Sequence, residues 1–135
     1  MADVVVLDAG PLLLFERGDA LVNALLLGAF RKYTDLVIPA AALAQVWRGP
    51  TSARVANLIR SSRVISMDED IARRSGVLCA LTGTSDVVDA SVVAVAELEH
   101  ASILTSDPID ITRLVGRATG CGLVLDVTKI PKRRP

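Results

Sequence analysis

The sequence of 135 residues carries equal numbers of acidic and basic side chains, 15 of each, and combines 51% hydrophobic with only 3% aromatic residues. Its length is typical of one domain with one hydrophobic core, so we expect residues 1–135 to form a single unit. The zero net charge argues against binding of nucleic acid through a broadly basic surface, and the scarcity of aromatic residues argues against a base-stacking platform.

Apolar runs and turn residues in the first half of the chain predict two strands and three helices. Val4–Leu7 is a short apolar run of the kind found in buried strands, and we expect it to end in a turn at Asp8-Ala9-Gly10-Pro11. The elements expected after that turn are a helix over Asp19–Tyr33, a strand over Leu36–Ile38, and two helices over Ala40–Trp47 and Thr51–Ser61.

The second half of the chain predicts three more strands and three more helices. The segment Ser66-Met67-Asp68-Glu69 fits a capping box, in which Ser66 caps a helix and Glu69 reaches back to its start. Thr84 and Ser85 are expected to cap the next helix. In chain order the elements are a strand over Val64–Ile65, a helix ending near Leu81, a helix over Asp86–His100, a strand over Ser102–Leu104, a short helix from Asp107-Pro108 to Gly116, and a strand over Leu123–Leu125.

The alternation of short apolar strands with helices predicts the fold class. Runs rich in Val and Ile suit strands that are buried on both faces. The pattern therefore predicts an α/β domain with a parallel central sheet of about five strands and with helices on both faces.

The cysteines and the apolar segments predict the compartment. Cys79 and Cys121 are far apart in the sequence, which favours neither a disulfide framework nor a cysteine metal site. The N-terminus lacks a positively charged stretch followed by an apolar segment, and no apolar run reaches the length of a membrane span. We therefore expect a cytoplasmic protein without a membrane segment.

Four aspartates fall where this fold class places its ligands, beyond the carboxyl ends of the strands. Asp8 follows the first predicted strand and Asp107 follows the fourth, while Asp86 and Asp89 share one side of the first turn of a helix. Each aspartate alone is also explained by a turn or a helix cap. Together they would repel and raise one another's pKa values, and Mg²⁺ or Mn²⁺ prefers such oxygen ligands. The sequence therefore predicts a divalent-cation site.

Four stretches, in this order along nearly the whole chain, carry a family resemblance. They are Val5-Val6-Leu7-Asp8 with Gly10-Pro11-Leu12, Val37-Ile38-Pro39 leading into Ala44-Gln45-Val46-Trp47-Arg48, Gly83-Thr84-Ser85-Asp86-Val87-Val88-Asp89-Ala90, and Leu104-Thr105-Ser106-Asp107-Pro108. In these stretches the chain resembles PIN-domain ribonucleases, and in particular VapC-type toxins of toxin–antitoxin pairs.

The resemblance implies a PIN-like fold and a Mg²⁺- or Mn²⁺-dependent endoribonuclease that hydrolyses RNA phosphodiester bonds. It implies that Asp8, Asp89 and Asp107 hold the metal, with Asp86 as an additional acid on the same helix turn as Asp89. It also implies a VapB-type antitoxin as protein partner, and a homodimer.

The sequence departs from the family pattern at Gln45, where PIN nucleases usually carry glutamate. An amide can coordinate a metal through its oxygen or hold a water, but it carries no charge and cannot accept a proton as a base. One alternative is that Asp86 supplies the missing charge and the site is active. The other is a catalytically weak PIN-fold protein that binds RNA or an antitoxin without cutting.

Several residues near these motifs have simpler expected roles. His100, the only histidine, is expected to cap the end of its helix. Trp47 is expected to pack in the core, whereas Arg48 is free to touch phosphate. Thr105 is expected to support Asp107 or to satisfy the strand end. Asp110, one turn after Asp107, is expected to be solvated and not a metal ligand.

Overall fold

The computed structural model of the protein describes residues 3–128. Within them, five parallel strands form one sheet in the spatial order β3-β2-β1-β4-β5. Their bounds are β1 Val4–Leu7, β2 Asp35–Pro39, β3 Arg63–Ile65, β4 Ser102–Thr105 and β5 Val124–Asp126. At the centre, Val6 pairs with Val37 on one side and with Ile103 on the other. The predicted α/β architecture with a parallel sheet of about five strands is confirmed.

Seven α-helices in residues 3–128 cover the sheet. Their bounds are α1 Ala9–Glu16, α2 Ala20–Arg31, α3 Ala40–Val46, α4 Ala53–Arg60, α5 Glu69–Thr82, α6 Val87–Glu99 and α7 Pro108–Val115, with a 3₁₀ turn over Gly49–Thr51. Helix α1 packs against α2, α3 and α4, and α5, α6 and α7 pack against one another. The chain runs outward from β1 to β3 and then returns to β4. Right-handed connections therefore place the helices of these two stretches on opposite faces.

Helix α6 is the central helix of the core. Every residue from Ala90 to Ala96 is buried, and the segment contains only Ala, Ser and Val. These small side chains let α6 lie close to β1, β2 and β4, against which it packs. The one hydroxyl in this segment is satisfied, because Ser91 donates to the carbonyl of Val88 at 2.7 Å.

The length and composition of the helices also bear on membrane insertion. Among residues 3–128, no single helix is long and apolar enough to cross a membrane. Helices α5 and α6 meet the criterion only when taken together, and they are bent by 113° relative to one another.

Helix α1 corrects the prediction of a turn after the first strand. The chain passes directly from β1 into a helix that begins at Ala9, and the carboxylate of Asp8 caps it by accepting from the Ala9 amide at 2.8 Å. Pro11 lies in the first turn, where its missing N–H costs no hydrogen bond. The Gly-Pro pair, which suggests a turn, is thus equally suited to the start of a helix.

The N-terminal caps of α5 and α6 also differ from the prediction. Asp68, and not Ser66, caps α5 by accepting from the Ile71 amide at 2.9 Å. Asp86, and not Thr84 or Ser85, caps α6 by accepting from the Asp89 amide at 3.0 Å. Aspartate caps a helix as well as serine does, so the capping pattern alone did not decide between them. The predicted cap at His100 is confirmed, with a left-handed φ of 51°.

Candidate metal centre

The strand order reverses between β1 and β4, and this reversal positions the candidate site. The loops after two such neighbouring strands leave the sheet in opposite directions, which opens a crevice at their carboxyl ends. Asp8 directly follows β1, and Asp107 lies two residues after the end of β4. The backbone amide of Asp8 donates to the carbonyl of Leu104 at 3.0 Å, so the two strand ends are joined at the crevice.

Asp8 is the most enclosed acid of the crevice, with 5% of its surface exposed. One carboxylate oxygen accepts from the Ala9 amide at 2.8 Å, and the other accepts from the hydroxyl of Thr105 at 2.7 Å. Burial raises the pKa of Asp8, these two hydrogen bonds lower it, and the charges of Asp107 and Asp86 raise it again; the net shift is upward. Asp8 is therefore a fixed carboxylate whose ionised form lacks a compensating positive charge.

Thr105 links the two sides of the crevice. It is fully buried at the end of β4. Its hydroxyl accepts a hydrogen bond from the Asp107 amide at 2.9 Å and donates one to the Asp8 carboxylate. One hydroxyl thereby fixes both the side chain of Asp8 and the backbone that carries Asp107. The expected supporting role of Thr105 is thus realised on two aspartates.

Gly10 allows the start of α1 to approach the loop after β4. A Cβ atom added at Gly10 would lie 2.9 Å from the Cβ of Ser106 and 3.5 Å from its backbone nitrogen. The first of these separations is shorter than real carbon contacts allow, so a side chain at Gly10 would push the loop away. Gly10 therefore permits the contact that brings Ser106, the residue before Asp107, against the first turn of α1.

Asp89 stands among the other acids of the crevice. It lies in the first turn of α6, three residues after Asp86, and is partly buried. Burial and then the charges of Asp8, Asp86, Asp107 and Asp110 raise the pKa of Asp89 to about 7. The field of the helix N-terminus favours the ionised form, but it does not offset four neighbouring carboxylates.

Asp110 belongs to this group, which the sequence prediction missed. One carboxylate oxygen from each of Asp89, Asp107 and Asp110 lies within 4.8 Å of the others, so the three could hold one ion. Asp110 is exposed, as expected. Its charge nevertheless raises the pKa of Asp107, and only burial has a larger effect on that pKa. The signal was present in the sequence, because Asp107 and Asp110 have the same i, i+3 spacing as Asp86 and Asp89.

We call the five aspartates together the acidic rim. Its members are Asp8, Asp86, Asp89, Asp107 and Asp110. In the part of the chain that the structure describes, every ion pair lies elsewhere, and no lysine or arginine pairs with the rim. Its ligand atoms are all carboxylate oxygens, the donor set that Mg²⁺ and Mn²⁺ prefer. The residues present therefore fit a hard divalent cation.

Gln45 borders the crevice but does not join the rim. Its exposed side chain lines an open groove of about 370 Å³, together with Ala9, Gly10, Leu13, Val46 and Arg48. Ala9 and Gly10 directly follow Asp8, so the groove begins at the edge of the acidic rim. Among residues 3–128 the Gln45 amide has no hydrogen-bond partner, which leaves it free for a bound molecule.

The prediction that Trp47 packs in the core is wrong. Its side chain is 41% exposed. Trp47 is the C-cap of α3, and its extended ψ of 129° turns the chain away from the helix. The buried face of α3 is formed by Ala42 and Val46 instead.

The sequence matches no protein-family model and no curated protein. The structure is similar to a chain of a toxin–antitoxin complex from Klebsiella pneumoniae, with a TM-score of 0.68 and 18% identity over 90% of this chain and 98% of that one. It is also similar to a chain of VapBC2 from Rickettsia felis bound to a promoter DNA fragment, with a TM-score of 0.66 and 13% identity over 91% and 97%. A third similar structure is FitAcB from Neisseria gonorrhoeae, with a TM-score of 0.63 and 14% identity over 93% and 99%.

These likenesses establish the fold, since they extend over at least nine-tenths of each chain. The PIN-like fold that the resemblance implied is confirmed. At identities below one-fifth, the likenesses leave the role of each side chain to be argued from the site itself.

Proposed function

We propose that this chain is a Mg²⁺- or Mn²⁺-dependent endoribonuclease of the PIN type and acts as the toxin of a toxin–antitoxin pair. The observation that carries the proposal is the acidic rim. Five aspartates without an ion-pair partner among residues 3–128 meet at the point where the strand order reverses. Without a cation such a group destabilises the fold, so its presence is best explained by a ligand that brings positive charge.

Asp8, Asp86, Asp89 and Asp107 are the residues that we assign to the metal, with Asp110 as a fifth acid beside Asp89 and Asp107. A divalent cation bound there would activate a water molecule and neutralise charge on the reacting phosphate. Thr105 and the Ala9 amide hold the Asp8 carboxylate in one orientation. Asp89, with its pKa near 7, holds a proton in much of the metal-free protein, so metal binding should release protons and weaken at low pH.

RNA is the substrate that we assign to this site. The RNA backbone is negatively charged, and a chain of zero net charge attracts it only through a local cation. A metal on the acidic rim would provide that attraction at the point of cleavage. The choice of RNA over DNA rests on the family resemblance of the motifs around Asp8, Asp86, Asp89 and Asp107.

The proposed partners are a VapB-type antitoxin and a second copy of this chain. The similar solved structures include toxin–antitoxin complexes, which supports an antitoxin partner. On α5, Val77 and Leu81 lie one helical turn apart and are 47% and 48% exposed, as expected if another chain covers them. A toxin that acts on cellular RNA works in the cytoplasm, which we propose as its location.

Gln45 supports a second candidate function. Because this neutral amide lies beside the rim where the family has glutamate, the chain could bind RNA or an antitoxin and cut slowly or not at all. The two functions differ in turnover and not in metal binding, so cleavage must be measured directly.

Single-turnover cleavage of a structured RNA in Mg²⁺ or Mn²⁺ tests the proposal, with wild type, Asp8→Asn and Gln45→Glu compared. We expect cleavage by wild type, none in EDTA, and none by Asp8→Asn. Gln45→Glu should cleave as fast as wild type or faster. Wild-type cleavage that persists in EDTA, or survives in Asp8→Asn, would defeat the metal-nuclease proposal. Cleavage by Gln45→Glu alone would favour the binding function.

A further inference from the structure

Arg48 differs from the paired arginines of this protein. Arg63, Arg73 and Arg74 each donate to a carboxylate. Within residues 3–128 Arg48 has no such partner, and one nitrogen of its guanidinium, Nη1, donates to the carbonyls of Trp47 at 2.6 Å and Ala44 at 3.4 Å. A guanidinium carries five N–H groups in a planar fork that matches a phosphate. Most of this fork therefore remains available to a ligand.

The backbone around Arg48 is held firmly in place. Its amide donates to the hydroxyl oxygen of Ser52 at 2.8 Å, and Ser52 is only 1% exposed. Gly49 follows with a φ of +76°, a conformation that few other residues adopt. The exposed guanidinium thus extends from a fixed corner between α3 and α4, which reduces the conformational freedom that binding would remove.

The groove that Arg48 lines leads to the acidic rim. Ala9 and Gly10, the first residues after Asp8, form part of its wall, and the neutral side chain of Gln45 lies three residues before Arg48. Its volume of about 370 Å³ falls within the range of small-ligand pockets, roughly 300–1,000 Å³. Among the described residues, no acidic side chain lines this groove, so a phosphate could enter it without repulsion from these side chains.

We propose that Arg48 binds an RNA phosphate next to the one that is cleaved, so that the RNA backbone lies in the groove between Arg48 and the acidic rim. This inference rests on the proposed function and names the substrate contact for that same site. A metal on the rim would neutralise only the scissile phosphate. Arg48 adds a charge-assisted contact one nucleotide along the RNA. It thereby directs the RNA backbone across five aspartates that would otherwise repel it.

Binding is measured separately from cleavage by the fluorescence anisotropy of a fluorescein-labelled single-stranded RNA. The measurement is made in Ca²⁺ in place of Mg²⁺ or Mn²⁺, with a parallel measurement in EDTA as reference. Arg48→Gln should raise the Kd roughly tenfold. It should also reduce the slope of log K against log salt by about 0.7, the value for one phosphate contact on a single strand. Arg48→Lys retains the charge but loses the planar guanidinium. It should keep the wild-type salt slope and bind RNA with an affinity between those of wild type and Arg48→Gln.

Arg60→Gln is the matched control. Arg60 is exposed at the last turn of α4, has no ion pair among the described residues and lies outside the groove. We expect less than a twofold change in its Kd. The only tryptophan, Trp47, is 41% exposed and precedes Arg48, so RNA binding to wild type should also change its fluorescence. Thermal melting of each variant confirms that it is folded.

The outcomes separate this inference from the proposed function. If wild type cleaves RNA but Arg48→Gln binds RNA as tightly as wild type, the inference is overturned and the proposed function stands. Equal weakening by Arg48→Gln and Arg60→Gln, or RNA binding that leaves Trp47 fluorescence unchanged, would also overturn it. If wild type neither binds nor cleaves RNA, the proposed function itself fails.

Discussion

The two ends of α6 carry acidic residues in opposite electrostatic surroundings. At its N-terminal end Asp86 and Asp89 join the acidic rim and have no cationic partner in the described part of the chain. At its C-terminal end Glu97 and Glu99 are each bound by an arginine. We call Glu97 and Glu99, with Arg63 and Arg74, the paired end of the helix.

The paired end shows what the fold does with acids that serve stability. Arg74 donates to both carboxylate oxygens of Glu97, at 2.7 and 2.8 Å, and the Thr119 amide adds a bond at 2.8 Å. Arg63 donates to Glu99 and also to Asp35 on β2. A carboxylate is unfavourable at a helix C-terminus, so these arginines compensate it.

The rim is more than a set of helix caps. A single aspartate would suffice to cap α6, yet five converge, and burial together with the charges of the other four raises the pKa of Asp89 to about 7. The Arg74 hydrogen bonds instead lower the pKa of Glu97. Arginines compensate the acids of the paired end, whereas no arginine or lysine among the described residues pairs with the rim, where we propose that a divalent cation provides the positive charge.

Replacing one acid at each end of α6 should have its largest effect on RNA cleavage. Asp89→Asn removes a proposed metal ligand, so we expect single-turnover cleavage in Mn²⁺ to fall about a hundredfold or more. Glu97→Gln, at the other end of the same helix, should cleave at the wild-type rate when folded. Equal losses in the two variants would show that the rim has no special role.

Thr105→Val tests whether the rim depends on its buried hydroxyl. The change keeps the shape of the side chain but removes the donor to Asp8 and the acceptor for the Asp107 amide. Loss of a partner that orients a metal ligand typically weakens metal affinity about 10–100-fold. We expect that loss in calorimetric Mn²⁺ titrations, whereas Thr105→Ser should retain most of the affinity. Unchanged affinity in Thr105→Val would remove Thr105 from the site.

The stability of the metal-free protein should respond in opposite directions at the two ends. Glu97→Gln weakens a partly buried, bidentate ion pair, so we expect it to lower the free energy of unfolding by about 1–2 kcal/mol. Asp107→Asn relieves repulsion at the rim and should leave stability unchanged or slightly higher. Chemical denaturation in EDTA measures both. A marked loss of stability in Asp107→Asn would contradict the description of the rim as uncompensated.

The smallest expected effect is the pH dependence of metal-free stability. The pKa of Asp89 is about 7 in the folded state, whereas its ordinary value, which applies to the unfolded state, is 3.8. At pH values between these two, the folded state holds a proton that the unfolded state has lost. Stability contributed by Asp89 therefore decreases as pH rises from about 4 to about 7. Because Asp89 is only partly buried, we expect the Tm to be only about 2–4 °C higher at pH 5 than at pH 7.5.

Two further melting experiments assign this pH effect. Asp89→Asn should reduce it to the part contributed by Asp8 and Asp107, whose pKa values are also raised. Saturating Mn²⁺ should reverse the effect, because metal binding favours the ionised carboxylates. The lowered pKa of Glu97 does not interfere, since its stabilising contribution is lost only as pH falls below its usual value of 4.5. A Tm that rises from pH 5 to pH 7.5 in metal-free wild type would contradict the shift at Asp89.

The sequence predicted the sheet and most helices because their apolar runs are local signals. It also predicted that Asp8, Asp86, Asp89 and Asp107 lie near one another, because they follow strand ends or begin a helix. It missed α1, because Gly10 and Pro11 are compatible with both a turn and a helix start. It missed the exposure of Trp47, which depends on where α3 ends.

Contacts between distant segments were beyond the reach of the sequence. The close approach of Gly10 to Ser106 and the double role of Thr105 depend on how β1 and β4 pair. Glu97 lies 22 residues from Thr119, and Arg63 lies 36 residues from Glu99 and 28 residues from Asp35. The positions of the rim acids at strand ends and helix starts were visible in the sequence, but the arginine partners of the paired acids were not.

Anomalous diffraction from a crystal soaked in Mn²⁺ tests the central claim most directly. We predict at least one ion within coordinating distance of Asp107 and of Asp8 or Asp89, with only oxygen ligands and none at the paired end of α6. An anomalous peak of full occupancy at Cys79, Cys121 or His100, with none at the rim, would contradict the assignment of the five aspartates as a metal centre.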